Sequence, residues 1–199
     1  MPVSDLLQLV RAALLPTPNA ADSLIESGAA QRADATPAAV LFPIVLRELA
    51  PTVLLTQRTA HLRDHPGQVS FPGGRVEADD ASPAETALRE TEEEIGLSRR
   101  HIEVVGYLPD YFTGTGFRVT PVVAWVRPPF SLQPDAIEVA DVFEVPLNFL
   151  LNQDNHQRMA IHVAGLRRAF FTMPYQDRFI WGATAGMIRA LHDRLRPPD

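Results

Sequence analysis

Four glutamates crowd into five consecutive positions of one predicted helix: Glu90, Glu92, Glu93 and Glu94. Glu90, Glu93 and Glu94 share one helix face, since residues three and four apart are neighbours on a helix. Like charges at this spacing repel, and acidic groups near a helix C-terminus oppose the macrodipole, each effect costing about 0.3–1 kcal/mol. An arrangement this unfavourable indicates a use for it. Carboxylate oxygens are suited to hard divalent cations such as Mg²⁺ or Mn²⁺.

A loop with two adjacent glycines precedes the acidic segment. The run Phe71–Gly74 lies about fifteen residues before Arg89, and such a loop can bring backbone amides or carbonyls close to a ligand. Three acidic residues follow the loop, namely Glu77, Asp79 and Asp80. Arg89 is available to clamp one of them against the helix, and the pattern leaves open which one. A glutamate cluster is also typical of a solvated helix face, but a solvated face requires neither the loop nor the arginine.

The helix that carries the glutamates is clearly delimited. Ser82 is a good N-cap, Pro83 occupies the first helical position, and Glu85 completes a capping box. Gly96 is placed to end the helix in a left-handed conformation. An apolar stripe opposite the acidic face consists of Ala84, Leu88, Thr91 and Ile95. The helix is therefore expected to pack on a core through one face and to present carboxylates on the other.

A polar segment upstream carries several potential phosphate ligands. The β-prone run Val53–Thr56 predicts a strand. Side chains able to bind phosphate follow it: Arg58, His61, Arg63, His65 and Gln68. Arginine contacts phosphate through two parallel hydrogen bonds, and histidine and glutamine add further donors. The alternative interpretation is an exposed basic loop that forms weak surface salt bridges.

The acidic helix and its loop resemble the Nudix box, Gly-x5-Glu-x7-Arg-Glu-apolar-x-Glu-Glu-x-Gly-apolar. Here Gly74 is followed six residues later by Asp80, and then by the run Arg89–Leu97. The chain departs from the pattern in three places. Asp80 replaces glutamate, the spacing to the arginine is one residue longer, and Thr91 stands at an aliphatic position. The three ligand glutamates are retained.

The run Leu54–Gly74 is in turn similar to the coenzyme A pyrophosphatase subgroup of Nudix hydrolases. The subgroup pattern is Leu-Leu-Thr-x-Arg-(Ser/Ala)-x3-Arg-x3-Gly-x3-Phe-Pro-Gly-Gly, and every fixed position matches except Thr59. Later segments are similar too, namely Glu138–Ala140, Val145–Leu147 and Trp181–Ala185. The resemblance extends over residues 38–192.

The resemblance implies an α/β fold, a Nudix-type α/β/α sandwich with a mixed sheet. It implies hydrolysis of the pyrophosphate bond of coenzyme A or its derivatives to adenosine 3′,5′-bisphosphate and 4′-phosphopantetheine. The alternatives are a Nudix hydrolase of another nucleoside diphosphate derivative, such as ADP-ribose, a reduced dinucleotide or an oxidised nucleotide, and a non-catalytic Nudix regulator that binds a nucleotide. Retention of the box glutamates disfavours the last alternative.

The resemblance also assigns roles to residues. The metal ligands for Mg²⁺ or Mn²⁺ would be Glu90, Glu93, Glu94 and Gly74, the last through its carbonyl, and the catalytic set would be Glu90, Glu93, Glu94 and Arg89. The substrate would contact Arg58, Arg63, His65, Gln68 and Phe117. Tyr111, Phe112 and Phe117 are candidates for stacking on adenine because they lie in a predicted loop. The general base is left open between Glu90, Glu138 and Glu144.

Length and composition agree with one enzyme domain. The 199 residues are enough for one core, divided here into an extension at residues 1–37 that packs on the Nudix domain at residues 38–199. A net charge of −6 without basic runs argues against a nucleic-acid partner. The absence of cysteine excludes disulfides and thiolate ligands. No membrane segment or signal peptide is indicated, which predicts a cytoplasmic protein, and monomer or homodimer is left open.

Periodicity and turn residues predict the element order. The expected elements are a helix at 4–15, a loop with a short helix at 16–37, strands at 38–47, 52–57, 103–108 and 119–126, a turn at 113–117, a strand or short helix at 138–150, strands at 160–171 and a helix at 180–195.

Overall fold

The computed structural model describes residues 2–19, 22–27, 29–62, 65–163 and 166–196. Within these ranges the chain forms four α-helices and twelve β-strands. The helices are α1 (Val3–Ala13), α2 (Pro83–Ile95), α3 (Leu147–Leu151) and α4 (Gly182–Leu195). The strands are β1 (Leu24–Ile25), β2 (Thr36–Val45), β3 (Thr52–Arg58), β4 (Val69–Ser70), β5 (Gly73–Arg75), β6 (Ile102–Tyr107), β7 (Tyr111–Phe112), β8 (Phe117–Val126), β9 (Val139–Pro146), β10 (Gln157–Val163), β11 (Leu166–Tyr175) and β12 (Arg178–Trp181).

Nine of the described strands form one mixed sheet. Its centre is the parallel pair β2–β8, in register from Thr36 opposite Phe117 to Val45 opposite Val126. Strands β3 and β5 pair antiparallel with β2, and β3 also pairs with β4 and β9. Strands β6 and β7 pair antiparallel with β8. The last three strands form a separate antiparallel sheet in the order β10–β11–β12.

Helices cover both faces of the central sheet. Successive side chains of a strand point to opposite faces, so Phe42 contributes to a core shared with α1, α3 and α4, whereas Leu41 packs on the side of α2. Ala87 and Ile95 anchor α2 there. The predicted α/β/α arrangement with a mixed sheet is therefore confirmed, and α2 is held against β2 and against β5, which carries the paired glycines.

The N-terminal residues pack on the rest of the protein. Helix α1 contacts α4, and the Arg194 Nε donates a hydrogen bond of 2.6 Å to the Ala13 carbonyl. The short helix predicted within residues 16–37 is wrong for the described part of that range, where β1 pairs instead with β7. This pairing partner lies far along the chain, so local propensity did not indicate it. The division of the chain at residues 37 and 38 stays a prediction, and β2 already begins at Thr36.

The C-terminal helix begins later than predicted. Residues 178–181 form β12, because they pair with β11 across a tight turn, and α4 starts at Gly182, whose φ is 62°. None of the helices in the described part of the chain combines the length and the apolar character needed to span a lipid bilayer.

Candidate active site

Local signals form α2 as the sequence predicts. The Ser82 hydroxyl accepts a hydrogen bond of 3.2 Å from the Glu85 amide, and Pro83 opens the helix. Gly96 ends it with φ 66°, in the left-handed region that favours glycine. Thr91, which replaces the usual aliphatic residue, is fully buried, and its hydroxyl donates to the Ala87 carbonyl at 2.6 Å. The polar atom is thus satisfied within the helix and does not disturb the core.

Arg89 ties the loop after the paired glycines to α2. Its Nε and one terminal nitrogen bind both carboxylate oxygens of Asp80, at 3.1 and 2.9 Å, whereas Glu77 is 3.9 Å away. The same terminal nitrogen donates to the Arg75 carbonyl at 3.2 Å. Hydrogen bonds from Arg89 hold the pKa of the Asp80 carboxyl far below its usual range. Asp80 is therefore the partner that the sequence left open.

The other terminal nitrogen of Arg89 points to the acidic face. It donates to Glu90 at 3.0 Å and to Glu93 at 3.1 Å. Every nitrogen of this guanidinium is thus engaged within the protein. Arg89 is placed to position the loop and two glutamates rather than to meet a substrate directly.

Gly73 and Gly74 each lie so close to neighbouring atoms that a side chain at either position would displace a neighbour. A Cβ on Gly74 would lie 2.3 Å from Glu90 Oε1, and a Cβ on Gly73 would lie 2.4 Å from the Ala39 carbonyl oxygen. A side chain on Gly73 would force the loop away from the backbone of β2, whereas one on Gly74 would displace the Glu90 carboxylate. The paired glycines therefore bring the backbone of β5 against the carboxylates of the helix.

Glu94 is the most deeply placed carboxylate of this face. Its side chain is 8% exposed and accepts a hydrogen bond of 3.2 Å from the Gly73 amide. Arg58 approaches it with a nitrogen 3.9 Å from its Oε1. Burial raises the pKa of Glu94 to about 8, opposed by the Gly73 amide and reinforced by the charge of Glu90. Burial also raises the pKa of Glu90.

The three predicted metal ligands do not converge equally. Glu90 and Glu94 lie against the paired glycines, while the Glu93 side chain is 60% exposed and turns toward Arg89. Within the described ranges, no group of three or more histidine, cysteine, aspartate or glutamate side chains is already gathered as a cation cage. Coordination by all three glutamates therefore requires a rotation of the exposed Glu93.

The site nevertheless fits a divalent cation. The candidate donors on the acidic face are carboxylate oxygens, which Mg²⁺ and Mn²⁺ prefer. The buried Glu94 has one amide donor and one distant guanidinium to offset its charge, counting the described residues alone. A cation between Glu90 and Glu94 would offset the charge that burial makes costly.

The two distant candidates for the general base lie in different surroundings. Glu138 is exposed and directly precedes β9, its carbonyl accepts from the Thr59 amide, and its charge raises the pKa of both Glu90 and Glu94. Glu144 is bound by both Arg47 and Thr52. Burial pushes the pKa of Glu144 upward, but these hydrogen bonds bring it below its ordinary value. Glu138 therefore borders the acidic face, and Glu144 is committed elsewhere.

The predicted substrate ligands are brought together in part. Arg58 ends β3 beside Glu94, and its amide donates to the Gln68 carbonyl, so these two residues are adjacent. His65 is exposed in a turn with φ 55°. Arg63 lies outside the described residues. Phe117 lies at the start of β8, where the Arg75 guanidinium carbon is 5.4 Å from its ring centre.

Arg75 and Thr86 contribute contacts at the site that were not predicted. The Thr86 hydroxyl donates to Asp80 at 2.8 Å, which adds a second hold on that carboxylate. The sequence signal for Thr86 was its position in the first turn of a well-capped helix. For Arg75 the signal was its place directly after the paired glycines. Neither contact follows from spacing alone, since both depend on how the loop folds back.

Comparisons with known proteins agree on the family. The NUDIX domain profile matches residues 35–162, more than half of the chain. A protein of Enterobacter sp. (strain 638), named uncharacterized Nudix hydrolase NudL, is 45% identical over 154 residues, which is 77% of this chain and 80% of the relative. The NudL protein of Yersinia enterocolitica serotype O:8 / biotype 1B is 43% identical over 158 residues, 79% of this chain and 80% of the relative.

Solved structures agree on the fold. The NUDIX domain of NrtR from Shewanella oneidensis, crystallised with ADP ribose, has a TM-score of 0.51 at 20% identity, over 81% of this chain and 89% of that chain. The Nudix hydrolase RenU from M. smegmatis has a TM-score of 0.50 at 22% identity, over 63% of this chain and 79% of that chain. Nudix hydrolases generally use divalent cations. The profile match and relatives at 43–45% identity establish that this chain belongs to the Nudix hydrolase family, enzymes that hydrolyse pyrophosphate bonds.

Proposed function

We propose that this protein hydrolyses the pyrophosphate bond of coenzyme A and its derivatives, with Mg²⁺ or Mn²⁺ as cofactor. The products would be adenosine 3′,5′-bisphosphate and 4′-phosphopantetheine. The observation that carries the proposal is the run Leu54–Gly74, which matches the coenzyme A subgroup pattern at every fixed position except Thr59. The relatives named NudL carry no substrate in their names, so the substrate rests on this run.

The location of that run supports the proposal. It starts in β3, passes Arg58 beside Glu94, and ends in the paired glycines that contact Glu90. Coenzyme A carries a pyrophosphate and a separate 3′-phosphate, so it requires more than one anion-binding group. We assign the pyrophosphate to Arg58, which lies 3.9 Å from Glu94, and the 3′-phosphate to Arg63.

The mechanism follows from the groups at the site. Glu90, Glu93, Glu94 and the Gly74 carbonyl would hold the cation. When bound, it would offset phosphate charge and make a water molecule more acidic. We assign the general base to Glu138, since it borders the acidic face and Glu144 is bound by Arg47. Glu138 accepts a proton as the water oxygen bonds to one phosphorus. The bond from that phosphorus to the bridging oxygen breaks, and the other phosphate leaves.

A product analysis in ¹⁸O-labelled water tests the proposal. Purified protein is incubated with Mg²⁺ and, in separate reactions, with coenzyme A, ADP-ribose, NADH and an oxidised nucleoside triphosphate. We expect adenosine 3′,5′-bisphosphate and 4′-phosphopantetheine from coenzyme A at the highest kcat/KM, with the label in one product identifying the attacked phosphorus. Faster hydrolysis of another substrate would reject coenzyme A. Tight nucleotide binding with no turnover on any diphosphate would favour a regulator instead.

A further inference from the structure

A cavity of about 350 Å³ lies between the N-terminal extension and the turn that joins β7 to β8. The extension contributes residues between 29 and 35, and the turn contributes residues 112–117. The volume is near the lower end of the range of ligand pockets, about 300–1,000 Å³. It is therefore suited to one part of a dinucleotide-sized substrate rather than to the whole of it.

The lining of this extension cavity suits a flat, partly polar group. Alanines and glycines leave its walls open, and a Cβ on Gly116 would meet no atom within 4 Å. Phe117 provides an aromatic ring, while Thr113 and Thr115 provide hydroxyls. A purine nucleoside can stack on aromatic and guanidinium planes and bind hydroxyls and amides through its edge. The Thr113 hydroxyl bonds the Thr115 hydroxyl and accepts from the Phe117 amide, each at 3.0 Å, so the preference for a nucleoside over an alkyl chain rests on the aromatic ring.

Arg75 connects the extension cavity to the acidic face. It directly follows Gly74, and its carbonyl is bound by Arg89. Its guanidinium lies over the Phe117 ring, with 5.4 Å between the guanidinium carbon and the ring centre. A ligand that reaches from the carboxylates of α2 to the cavity therefore passes this side chain.

The charge of Arg75 is not neutralised by an acidic partner. Its side chain is exposed, and in the part of the chain that the structure describes no carboxylate oxygen lies within 4 Å of it. Arg32, at the other side of the extension cavity, differs in this respect because it pairs with Asp34 at 2.6 Å. An arginine without an acidic partner beside a carboxylate cluster is suited to phosphate, which it can bind through parallel hydrogen bonds.

We propose that the extension cavity binds the nucleoside end of the substrate and that Arg75 binds the phosphate next to that nucleoside. Coenzyme A as the substrate rests on the proposed function above, but the subsite requires only a nucleoside with a 5′-phosphate. The extension at residues 29–35 thereby becomes a wall of the substrate site, and Arg75 a binding residue.

Binding of AMP and of adenosine separates the two parts of the proposal. Both are titrated without metal into the wild type, Arg75→Gln and Ala30→Trp, and binding is followed by saturation-transfer NMR. We expect Arg75→Gln to weaken AMP about tenfold, as one charge-assisted contact is lost, and to leave adenosine unchanged. Ala30→Trp should weaken both ligands, since its ring fills the cavity. Ala30 is exposed, so the larger side chain is tolerated, and thermal melting checks the fold of each variant.

Two control variants test whether the effects on binding are specific to Arg75 and to the extension cavity. Arg100→Gln removes another exposed arginine and Ala12→Trp adds the same ring on α1, and neither should change binding. Unchanged AMP binding in Arg75→Gln, or no AMP binding by the wild type at millimolar concentration, would overturn the proposal. Preference for ADP-ribose over coenzyme A would reject the proposed substrate only, because AMP binding does not depend on which diphosphate is cleaved.

Discussion

Two regions of the site are built differently. In the acidic region, residues 73–96, polar groups are bound to one another: Arg89 engages Asp80 through two hydrogen bonds and also reaches Glu90 and Glu93. In the proposed recognition segment, residues 58–68, the Arg58 Nε is buried without a hydrogen-bond partner among the described residues, and His65 is exposed. Groups that hold a reactive centre need fixed positions before the substrate arrives, whereas recognition groups can obtain their partners from the substrate.

Replacement of Glu94 should give the largest effect. Glu94→Gln keeps the shape but removes a buried negative charge beside the paired glycines, and kcat should fall by about a thousandfold or more, the loss expected for a charged ligand in a metal-dependent hydrolase. The matched control is Glu92→Gln, because Glu92 is exposed and faces Arg99 on the other side of α2. Steady-state kinetics over a range of Mg²⁺ concentrations measures both variants. Normal turnover and metal dependence in Glu94→Gln would remove this residue from the site.

Glu138, which precedes β9, and Glu144, which lies within β9, test how far the acidic region extends. Glu138→Gln should lower kcat about a hundredfold if it accepts the proton of the attacking water. Glu144→Gln should leave kcat within about twofold, since its partners are Arg47 and Thr52. A larger loss of kcat in Glu144→Gln than in Glu138→Gln would transfer the role of general base to Glu144. No loss of kcat in either variant would leave Glu90 as the candidate.

Arg89→Lys tests whether positioning itself matters. Lysine keeps the charge but cannot bind both oxygens of Asp80 while reaching the Arg75 carbonyl. Turnover should fall about tenfold and more Mg²⁺ should be needed, the usual size of an effect on groups that orient metal ligands. Arg99→Lys is the control, because Arg99 forms an exposed pair with Glu85, worth little to stability or activity. Equal turnover and equal Mg²⁺ requirement in the two variants would show that the contacts of Arg89 with Asp80 and the Arg75 carbonyl do not matter for the site.

The recognition segment should respond through KM rather than kcat. Arg63→Ala is expected to raise the KM for coenzyme A about fivefold to tenfold, as one phosphate contact is lost, and to leave the KM for dephospho-coenzyme A nearly unchanged. Arg158→Ala, at another exposed arginine, serves as the control. An equal rise for both substrates would place Arg63 away from the 3′-phosphate.

The same division explains how much could be predicted from sequence. The N-cap at Ser82, the end at Gly96 and the acidic face of α2 follow from local rules, and all three were predicted. The choice of Asp80 over Glu77 required the folded loop, because spacing permits either. Contacts that join distant segments were not predictable from spacing. The Arg75–Phe117 contact and the pairing of β1 with β7 both depend on the tertiary fold.

The smallest expected effect concerns the stability of the metal-free protein. Burial raises the pKa of Glu94 from 4.5 in its ordinary state to about 8 in the folded protein. Between these values the folded state binds more protons than the unfolded state, so the free energy of unfolding falls as pH rises. Burial raises the pKa of Glu90 in the same direction. Comparison of the wild type with Glu94→Gln isolates the part of this pH dependence of stability that comes from Glu94.

In EDTA, Glu94→Gln should therefore melt at about the wild-type temperature at pH 5. At pH 9 it should melt above the wild type, by about 2–4 °C for each kcal/mol of charge-burial cost that the substitution removes from a chain of this length. Added Mg²⁺ should stabilise the wild type increasingly as pH rises toward 8, because the cation binds the deprotonated carboxylate, and should stabilise the variant less. Scanning calorimetry at the two pH values measures this, with Glu92→Gln as the control. A constant difference in melting temperature across the pH range would mean that the buried charge of Glu94 does not oppose folding, and the acidic region would lose its strongest physical reason to bind a cation.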